Sequence, residues 1–409
     1  MTVRSKIKKN KIIPSSLRGE RWKFDRTLMK ETKVKGFRGA RTVLIILKEG
    51  ATKSMASADD SMAGENSWDV EEKKEELKDL AKSCGLNVVI SEIVKQKLPT
   101  PATYLSQGKI EFISQITAKE GANLVIFDRE LSSTQQRNLE DALGAKVVDR
   151  TSLILEIFAQ HANSREGKLQ VELAQLNYLL PRLTGTGVLL SRLGGGIGTR
   201  GPGEMKLEVD RRRIRERIGK LNREIKRLEK HRKILRESRE RKNLPLISLV
   251  GYTNVGKSTL LNTLSKKKDI YVDDRLFSTL DPRTRVVYLP DGRKALFTDT
   301  VGLLRNLPHH LISSFKATLE ELRYADLLLN LLDASSPFIE QQDETALFTL
   351  QELGINNARP ILTVLNKKDL IKDKFLLERV KRRFPEGIFI SAITGEGLEE
   401  LKEKIANSL

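Results

Sequence analysis

The chain has 409 residues, more than one ordinary domain needs and enough for two or three with separate cores. Hydrophobic residues make up 39% and charged residues 31%, and no apolar run approaches the roughly 20 residues that span a bilayer, which argues against a membrane-spanning helix. Lysine and arginine outnumber aspartate and glutamate by 73 to 54, a net charge of +19 that favours a polyanion such as RNA wherever it clusters on one face.

The N-terminal stretch MTVRSKIKKNKIIPSSLR carries no acid before Glu20 and lacks the apolar core of a secretory signal. It reads as a basic arm over residues 1–40, with an organellar transit segment and an RNA-binding arm both open. Residues 41–150 alternate strand-like runs (VLIILK, NVVISEIV, NLVIFD, AKVVD) with polar helical ones, which predicts a small α/β domain on a largely parallel sheet. Its lone cysteine, Cys84, allows no intrachain disulfide and agrees with a reducing cytoplasm. The Ser/Ala/Asp/Gly-rich stretch 51–69 reads as an insertion after the first strand. GKIEF at Gly108 and Lys109 is too short to mark a second nucleotide site and reads as a structural turn.

From Thr151 to Lys242 the pattern becomes helical. Leu169, Leu173, Leu176 and Leu180 form one apolar seam; Ile214, Ile218, Leu221, Ile225 and Leu228, with Leu235 a heptad further on, form another. Two such seams predict an antiparallel hairpin of helices. The connection, 183–204, is rich in glycine, which lets backbone approach a surface closely, while Arg192 and Arg200 offer forks that match phosphate. The second helix, DRRRIRERIGKLNREIKRLEKHRKILRESRERK, carries more positive charge than its own acids can pair, which favours a nucleic-acid face over a merely solvated one.

Residues 243–409 contain PLISLVGYTNVGKSTLLNTL, a strand, a glycine loop and a helix in order. Gly251, Tyr252, Thr253, Asn254, Val255 and Gly256 are expected to wrap phosphates with backbone N–H groups, Lys257 to reach the β and γ oxygens, Ser258 to ligate Mg2+, and Thr259 to continue the helix beside them. Downstream, Phe277, Ser278, Thr279, Leu280 and Asp281 form a switch segment in which Thr279 is the expected second Mg2+ ligand, with Ser278 and Thr284 as competing hydroxyls. Asp299, Thr300, Val301 and Gly302 follow a short strand: Asp299 is expected to hold Mg2+ through water, and the Gly302 N–H to sense the γ-phosphate. Asn366, Lys367, Lys368 and Asp369 emerge at a strand end, where Asp369 can take two hydrogen bonds from guanine N1 and N2 while Asn366 and the Lys367 stem support the base. Ser391, Ala392 and Ile393 open a loop that closes over guanine O6. This pattern predicts a P-loop GTPase domain of mostly parallel sheet that binds GTP and GDP, with Lys257, Thr279 and Gly302 as its catalytic set.

With phosphate loop, FSTLD, DTVG, NKKD and SAITGEG in order, the C-terminal part resembles translation-factor-class GTPases. REGKLQVELAQLNYLLPRL and GGGIGTRGPGEMKLEVDRRRIRERI resemble the HflX family of ribosome-associated GTPases, over about residues 41–409. The resemblance implies binding to the large ribosomal subunit near its peptidyl-transferase centre; helical seams satisfied within the chain make a monomer the expectation, in the cytoplasm with an organellar matrix as the alternative. The resemblance further implies ribosome splitting or rescue under stress and a slow GTPase that the ribosome stimulates. Arg192, Arg200, Gly201 and Gly203 would then touch ribosomal RNA. Met205 and Lys206 stand where the family often has threonine and glutamine. The other reading of the same residues is a GTP-dependent RNA-binding factor in large-subunit assembly.

Leu303 occupies the place where many switches carry a water-orienting glutamine, so water must be ordered by backbone, by a monovalent ion or by the ribosome. Asn254 resembles the asparagine that ligates K+ in potassium-activated relatives, and is the candidate K+ ligand here; bracing of the loop is its other reading.

Overall fold

A computed structural model of the chain describes residues 38–49, 67–96, 98–183, 202–240, 244–265, 281–303, 321–352, 354–355 and 359–409. The basic arm before Arg38, residues 51–66 of the insertion, Arg192, Arg200 and Gly201 of the tip, Phe277 to Leu280 and the Leu235 side chain lie outside what it describes.

The first sheet has the order β2-β1-β3-β4 and is parallel throughout. Its elements are β1 (Arg41–Glu49), α1 (Ser67–Ser83), β2 (Asn87–Gln96), α2 (Gln107–Lys119), β3 (Leu124–Phe127), α3 (Ser133–Leu143) and β4 (Lys146–Asp149). The run VLIIL in β1 is buried on both faces, as a central parallel strand covered by helices must be. Leu44 and Ile46 face a cluster with Leu77 and Leu80 of α1, whereas Val43, Ile45 and Leu47 face Ile110 and Ile113 of α2. Helix α3 begins with a capping box between Ser132 and Gln135 and ends at Gly144 with φ 63°. Lys109 donates to Lys95 O and Gln96 Oε1, so the GKIEF lysine serves α2 packing.

Helix α4 (Arg150–His161) starts at Asp149, whose carboxylate caps Ser152 N at 2.8 Å. Leu153, Ile154, Ile157 and Phe158 are all buried in the cluster that includes Leu44 and Leu77, so α4 packs on the first sheet. The hairpin therefore starts at α5 (Arg165–Arg182), not at Thr151, because α4 is apolar around too much of its circumference for a two-helix seam. Helix α6 (Pro202–Glu240) pairs with α5 through Leu169, Leu173, Leu176 and Leu179 against Ile214 and Leu221. The ion pairs Glu166–Arg232 and Glu172–Arg217 run in opposite directions along the two helices, which makes the hairpin antiparallel.

The second sheet comprises β5 (Leu246–Gly251), β6 (Arg283–Tyr288), β7 (Lys294–Asp299), β8 (Leu327–Asp333), β9 (Ile361–Asn366) and β10 (Ile388–Phe389), in the order β10-β9-β8-β5-β7-β6. All pairs are parallel except β6 with β7. Helices α7 (Lys257–Leu264), α8 (Ile339–Glu352), α9 (Lys374–Arg383) and α10 (Leu398–Ser408) complete this α/β unit. One apolar cluster runs without a break from Leu44 and Phe158 to Ile247 and Leu329, so the two sheets share a core. Among the described residues no helix is long and apolar enough to cross a membrane.

Candidate nucleotide site

Strand β5 delivers the loop Gly251–Gly256 to the start of α7. Gly256 has φ 94°, and a Cβ there would collide with the Asn366 side chain, so glycine is required on both counts. Asn254 is exposed and also left-handed, with φ 61°, a conformation asparagine tolerates better than most residues. Lys257 is buried and donates to Gly251 O at 3.0 Å and Tyr252 O at 2.6 Å, two carbonyls of the loop. Burial lowers its pKa to about 8, against the opposing pull of Asp299. Val255 is buried, while Ser258 and Thr259 are partly so.

Asp299, at the end of β7, is fully buried and accepts from Ser258 Oγ at 2.6 Å. Thr300 Oγ1 donates to Leu249 O at 2.6 Å, which fixes the next peptide against β5. Leu303 is buried and forms a short bridge to the phosphate loop: its N–H donates to Gly251 O at 3.0 Å, and Thr253 N–H donates to Leu303 O at 3.2 Å. Between them, Gly302 packs so tightly that a Cβ would lie 2.7 Å from Thr253 Cγ2 and 2.9 Å from Thr253 Cα. Val301 is buried beside it. Leu303 is thus a core residue that fastens the DTVG turn to the loop, and its side chain has no polar group with which to orient water.

Asn366, expected to support the base, is held between two loops. Its Nδ2 donates to Val255 O at 2.7 Å and its Oδ1 accepts from Ala392 N at 2.9 Å, so the amide ties the phosphate loop to the SAITGEG turn. Lys367 has φ 62° and pairs with Asp333 at 2.7 Å. Lys368 N–H donates to Ile390 O at 3.1 Å, and its side chain pairs with Glu396. Asp369 stands exposed on the short 3-10 turn Lys368–Leu370. Ser391 is buried and accepts from Thr394 N, Ala392 O takes Thr263 Oγ1 at 2.7 Å, and Ile393 is 76% exposed.

One hydroxyl and one acid of the switch segment are placed away from the phosphate loop. Thr284 Oγ1 is 2.9 Å from Thr298 Oγ1 across the β6–β7 pair, which removes it from the candidate Mg2+ ligands. The Asp281 carboxylate lies on the first turn of the hairpin, where it accepts from Asn163 N at 3.0 Å and Ser164 N at 2.7 Å. Gly203 sits in the first turn of α6. Sequence reasoning missed Glu76 of α1, which accepts from the Tyr252 hydroxyl and pairs with Arg150. With Glu72, Glu75 and Asp79 it lines a cleft against Thr253 and Lys367. Only the buried-face spacing of acids in VEEKKEELKDL could have flagged it.

Among the described residues no group of three His, Cys, Asp or Glu side chains could hold a metal. A hard divalent ion bound at Ser258 and Asp299 must therefore take most of its ligands from nucleotide and water, as Mg2+ does in phosphate sites. The buried carboxylate touching a hydroxyl at the helix start fits that ion.

Three family profiles match in succession: "GTP-binding GTPase N-terminal" over residues 71–159, "GTP-binding GTPase Middle Region" over 161–239 and "50S ribosome-binding GTPase" over 246–367. GTPase HflX of Caldanaerobacter subterraneus subsp. tengcongensis is 50% identical over 339 residues, covering 83% of this chain and 77% of that protein. The chain belongs to the HflX family of GTPases. GTPase HflX of Escherichia coli (strain K12) is 41% identical over 82% of this chain and 78% of that protein. A solved GTP-binding protein from Sulfolobus solfataricus in complex with GDP is 26% identical, covers 90% of this chain and 98% of that chain, and has a TM-score of 0.44. As an HflX-family member the chain is a P-loop GTPase, and P-loop GTPases use Mg2+ with the nucleotide.

Proposed function

We propose that this GTPase is a nucleotide-switched factor of the large ribosomal subunit, which its GTP form binds near the peptidyl-transferase centre to split or rescue ribosomes under stress. The carrying observation is the basic surface of α6, with Arg212, Arg213, Arg215, Lys220, Arg223 and Lys226 all exposed, attached to a domain that matches the family described as "50S ribosome-binding GTPase". Phosphate contacts of this kind release counterions, so the complex weakens steeply as salt rises. Arg192, Arg200, Gly201 and Gly203 are assigned to ribosomal RNA at the hairpin tip. Such a protein works in the cytoplasm as a monomer, since the hairpin seam is satisfied within the chain.

In the GTP complex, Lys257 reaches the β and γ oxygens, Ser258 and Thr279 ligate Mg2+, and Asp299 holds it through water. The loop N–H groups from Tyr252 to Thr259 surround the phosphates, the Gly302 N–H meets the γ-phosphate, and Asp369 reads guanine N1 and N2 between the Lys367 stem and Ile393. Mg2+ supplies charge neutralisation on the transferred phosphoryl group. Since Leu303 is apolar and buried, hydrolysis is slow until another element orders the water. Asn254, exposed at the loop crest, is the candidate ligand for a K+ ion that places positive charge there.

Steady-state GTP turnover with Mg2+, in K+ or Na+, with and without purified large subunits, tests the assignment. Strong stimulation by large subunits is expected. Equal turnover with and without them, in a protein that still binds GTP, would reject the mature subunit as partner and turn attention to precursor subunits. Equal rates in K+ and Na+ would remove the Asn254 ion site.

A further inference from the structure

Tyr252 is the second residue of the phosphate loop, yet its side chain belongs to the boundary with the first α/β unit. It is buried, and its hydroxyl donates to Glu76 Oε2 on α1, 176 residues away in sequence. The other oxygen, Glu76 Oε1, pairs with Arg150 at the start of α4. The Glu76 and Arg150 side chains are only 10% and 13% exposed, so water weakens the pair little and the acceptor is held at both oxygens. The main chain of Tyr252 meanwhile serves the nucleotide site. Its carbonyl accepts from Lys257 Nζ at 2.6 Å, and the residue forms the short bridge to Leu303.

The phosphate loop is thus held from two units. The Leu303 bridge and the Asn366 amide, which donates to Val255 O at 2.7 Å, come from the GTPase unit. Glu76 comes from the first unit and acts where the loop leaves β5. Gly251, just before Tyr252, presses on β8 so closely that a Cβ would collide with Leu331 O, so slack at Tyr252 is not taken up on that side. The phosphates are assigned to backbone N–H groups, none of which the Tyr252 hydroxyl occupies, so the contact is compatible with GDP and GTP alike. We propose that Glu76 is a positioning residue of the nucleotide site: acting through the Tyr252 hydroxyl, it makes the first α/β unit hold the phosphate loop in place for either nucleotide. A loop held in advance loses less freedom when phosphates bind, and so binds them more tightly. Charge alone predicts the opposite sign, because Glu72, Glu75 and Asp79 line the same cleft and a negative wall repels phosphate. The proposal rests on the assignment of the phosphates to this loop.

The test is equilibrium titration of GDP and of a non-hydrolysable GTP analogue, in Mg2+, on the full chain. The variants are Tyr252→Phe, Glu76→Ala, Glu76→Gln and the double Tyr252→Phe/Glu76→Ala, each first shown to be folded by its urea unfolding curve. Tyr252→Phe removes only the hydroxyl and carries the test where Glu76→Ala does not fold. Tyr252→Phe and Glu76→Ala should each weaken both nucleotides by about threefold to tenfold, and the double variant by no more than about twofold beyond the weaker-binding single one. Glu76→Gln keeps an acceptor for the hydroxyl and should lie closer to the unsubstituted chain than to Glu76→Ala. A contact that merely joins the two units lowers the urea midpoint and leaves both affinities within about twofold, which overturns the proposal. Tighter binding overturns it in favour of charge repulsion. Losses confined to one nucleotide, losses that multiply in the double variant, or Glu76→Gln as weak as Glu76→Ala overturn it as well. Lys257→Ala separates the two readings. If it binds both nucleotides as the unsubstituted chain does, the phosphate-loop assignment fails; if it loses them while the Tyr252 and Glu76 variants change nothing, the role of Glu76 alone fails.

Discussion

The hydroxyl of Tyr252, second residue of the phosphate loop, donates to Glu76 of α1, and the same carboxylate is paired with Arg150 at the start of α4. Tyr252 is buried, and that burial, reinforced by Glu76, raises its pKa well above the ordinary phenol value, so it remains a donor at any working pH. The loop that binds phosphate is thereby tied to the first α/β unit. Tyr252→Phe removes a hydrogen bond to a charged acceptor, and should lower the stability of the nucleotide-free chain by about 1.5–3 kcal/mol in urea unfolding. Glu76→Ala should cost more, since it also removes the ion pair with Arg150. Equal stability of Tyr252→Phe and the unsubstituted chain would mean that this contact has no net weight.

Asn366→Ala should weaken GDP and GTP binding together. The amide joins Val255 O to Ala392 N, both buried, and truncation leaves each without this partner. Two such losses amount to about 2–4 kcal/mol, or roughly 30-fold to 1,000-fold in affinity by equilibrium titration. Weakened GTP with unchanged GDP would contradict the view that Asn366 acts on the loops both nucleotides use.

Gly302→Ala should have the opposite selectivity. The new methyl group meets Thr253 at its Cα and Cγ2, so the DTVG turn must move away from the phosphate loop. The Gly302 N–H is assigned only to the γ-phosphate, so GDP affinity should stay within about threefold while binding of a GTP analogue falls more than tenfold. Matched losses for both nucleotides would place the damage in the loop itself.

Much of this site was legible in the sequence because phosphate chemistry uses consecutive residues. Gly251 to Ser258 and Asn366 to Asp369 need only a strand end and a turn to bring their groups together, and both runs sit at strand ends of one mostly parallel sheet. The apolar seams were equally legible, since Leu169, Leu173 and Leu176 repeat at helical spacing and meet Ile214 and Leu221 as that spacing requires. Contacts between units left no such trace. Asp281 lies two positions from Thr279 in sequence, yet its side chain belongs to the helix start at Ser164. Asn366 has a motif position suited to the base, but its two hydrogen bonds hold loops separated by 111 and 26 residues. The sequence of α4 is as helical as that of the hairpin that follows; only the packed sheet reveals which neighbour its residues cover.

Asp128 supplies a pH test remote from the nucleotide. It follows β3, is buried, and accepts from Leu47 N at 3.1 Å, while burial raises its pKa to about 6 against the lowering effects of that bond and nearby cations. A carboxyl with a raised pKa in the folded state binds its proton more tightly there than when unfolded. Folding is therefore favoured while the group is protonated in both states, and the chain loses stability as pH rises from about 4 to about 6, with the full cost present above that window. The shift corresponds to roughly 3 kcal/mol. Asp128→Asn keeps an acceptor for Leu47 N and carries no charge. It should unfold at higher urea than the unsubstituted chain at pH 7.5, by about 1–3 kcal/mol, and show no advantage at pH 4. An advantage of equal size at both pH values would assign the gain to packing instead of charge, and a loss at pH 7.5 would show that the ionised carboxylate is better supported than its burial implies.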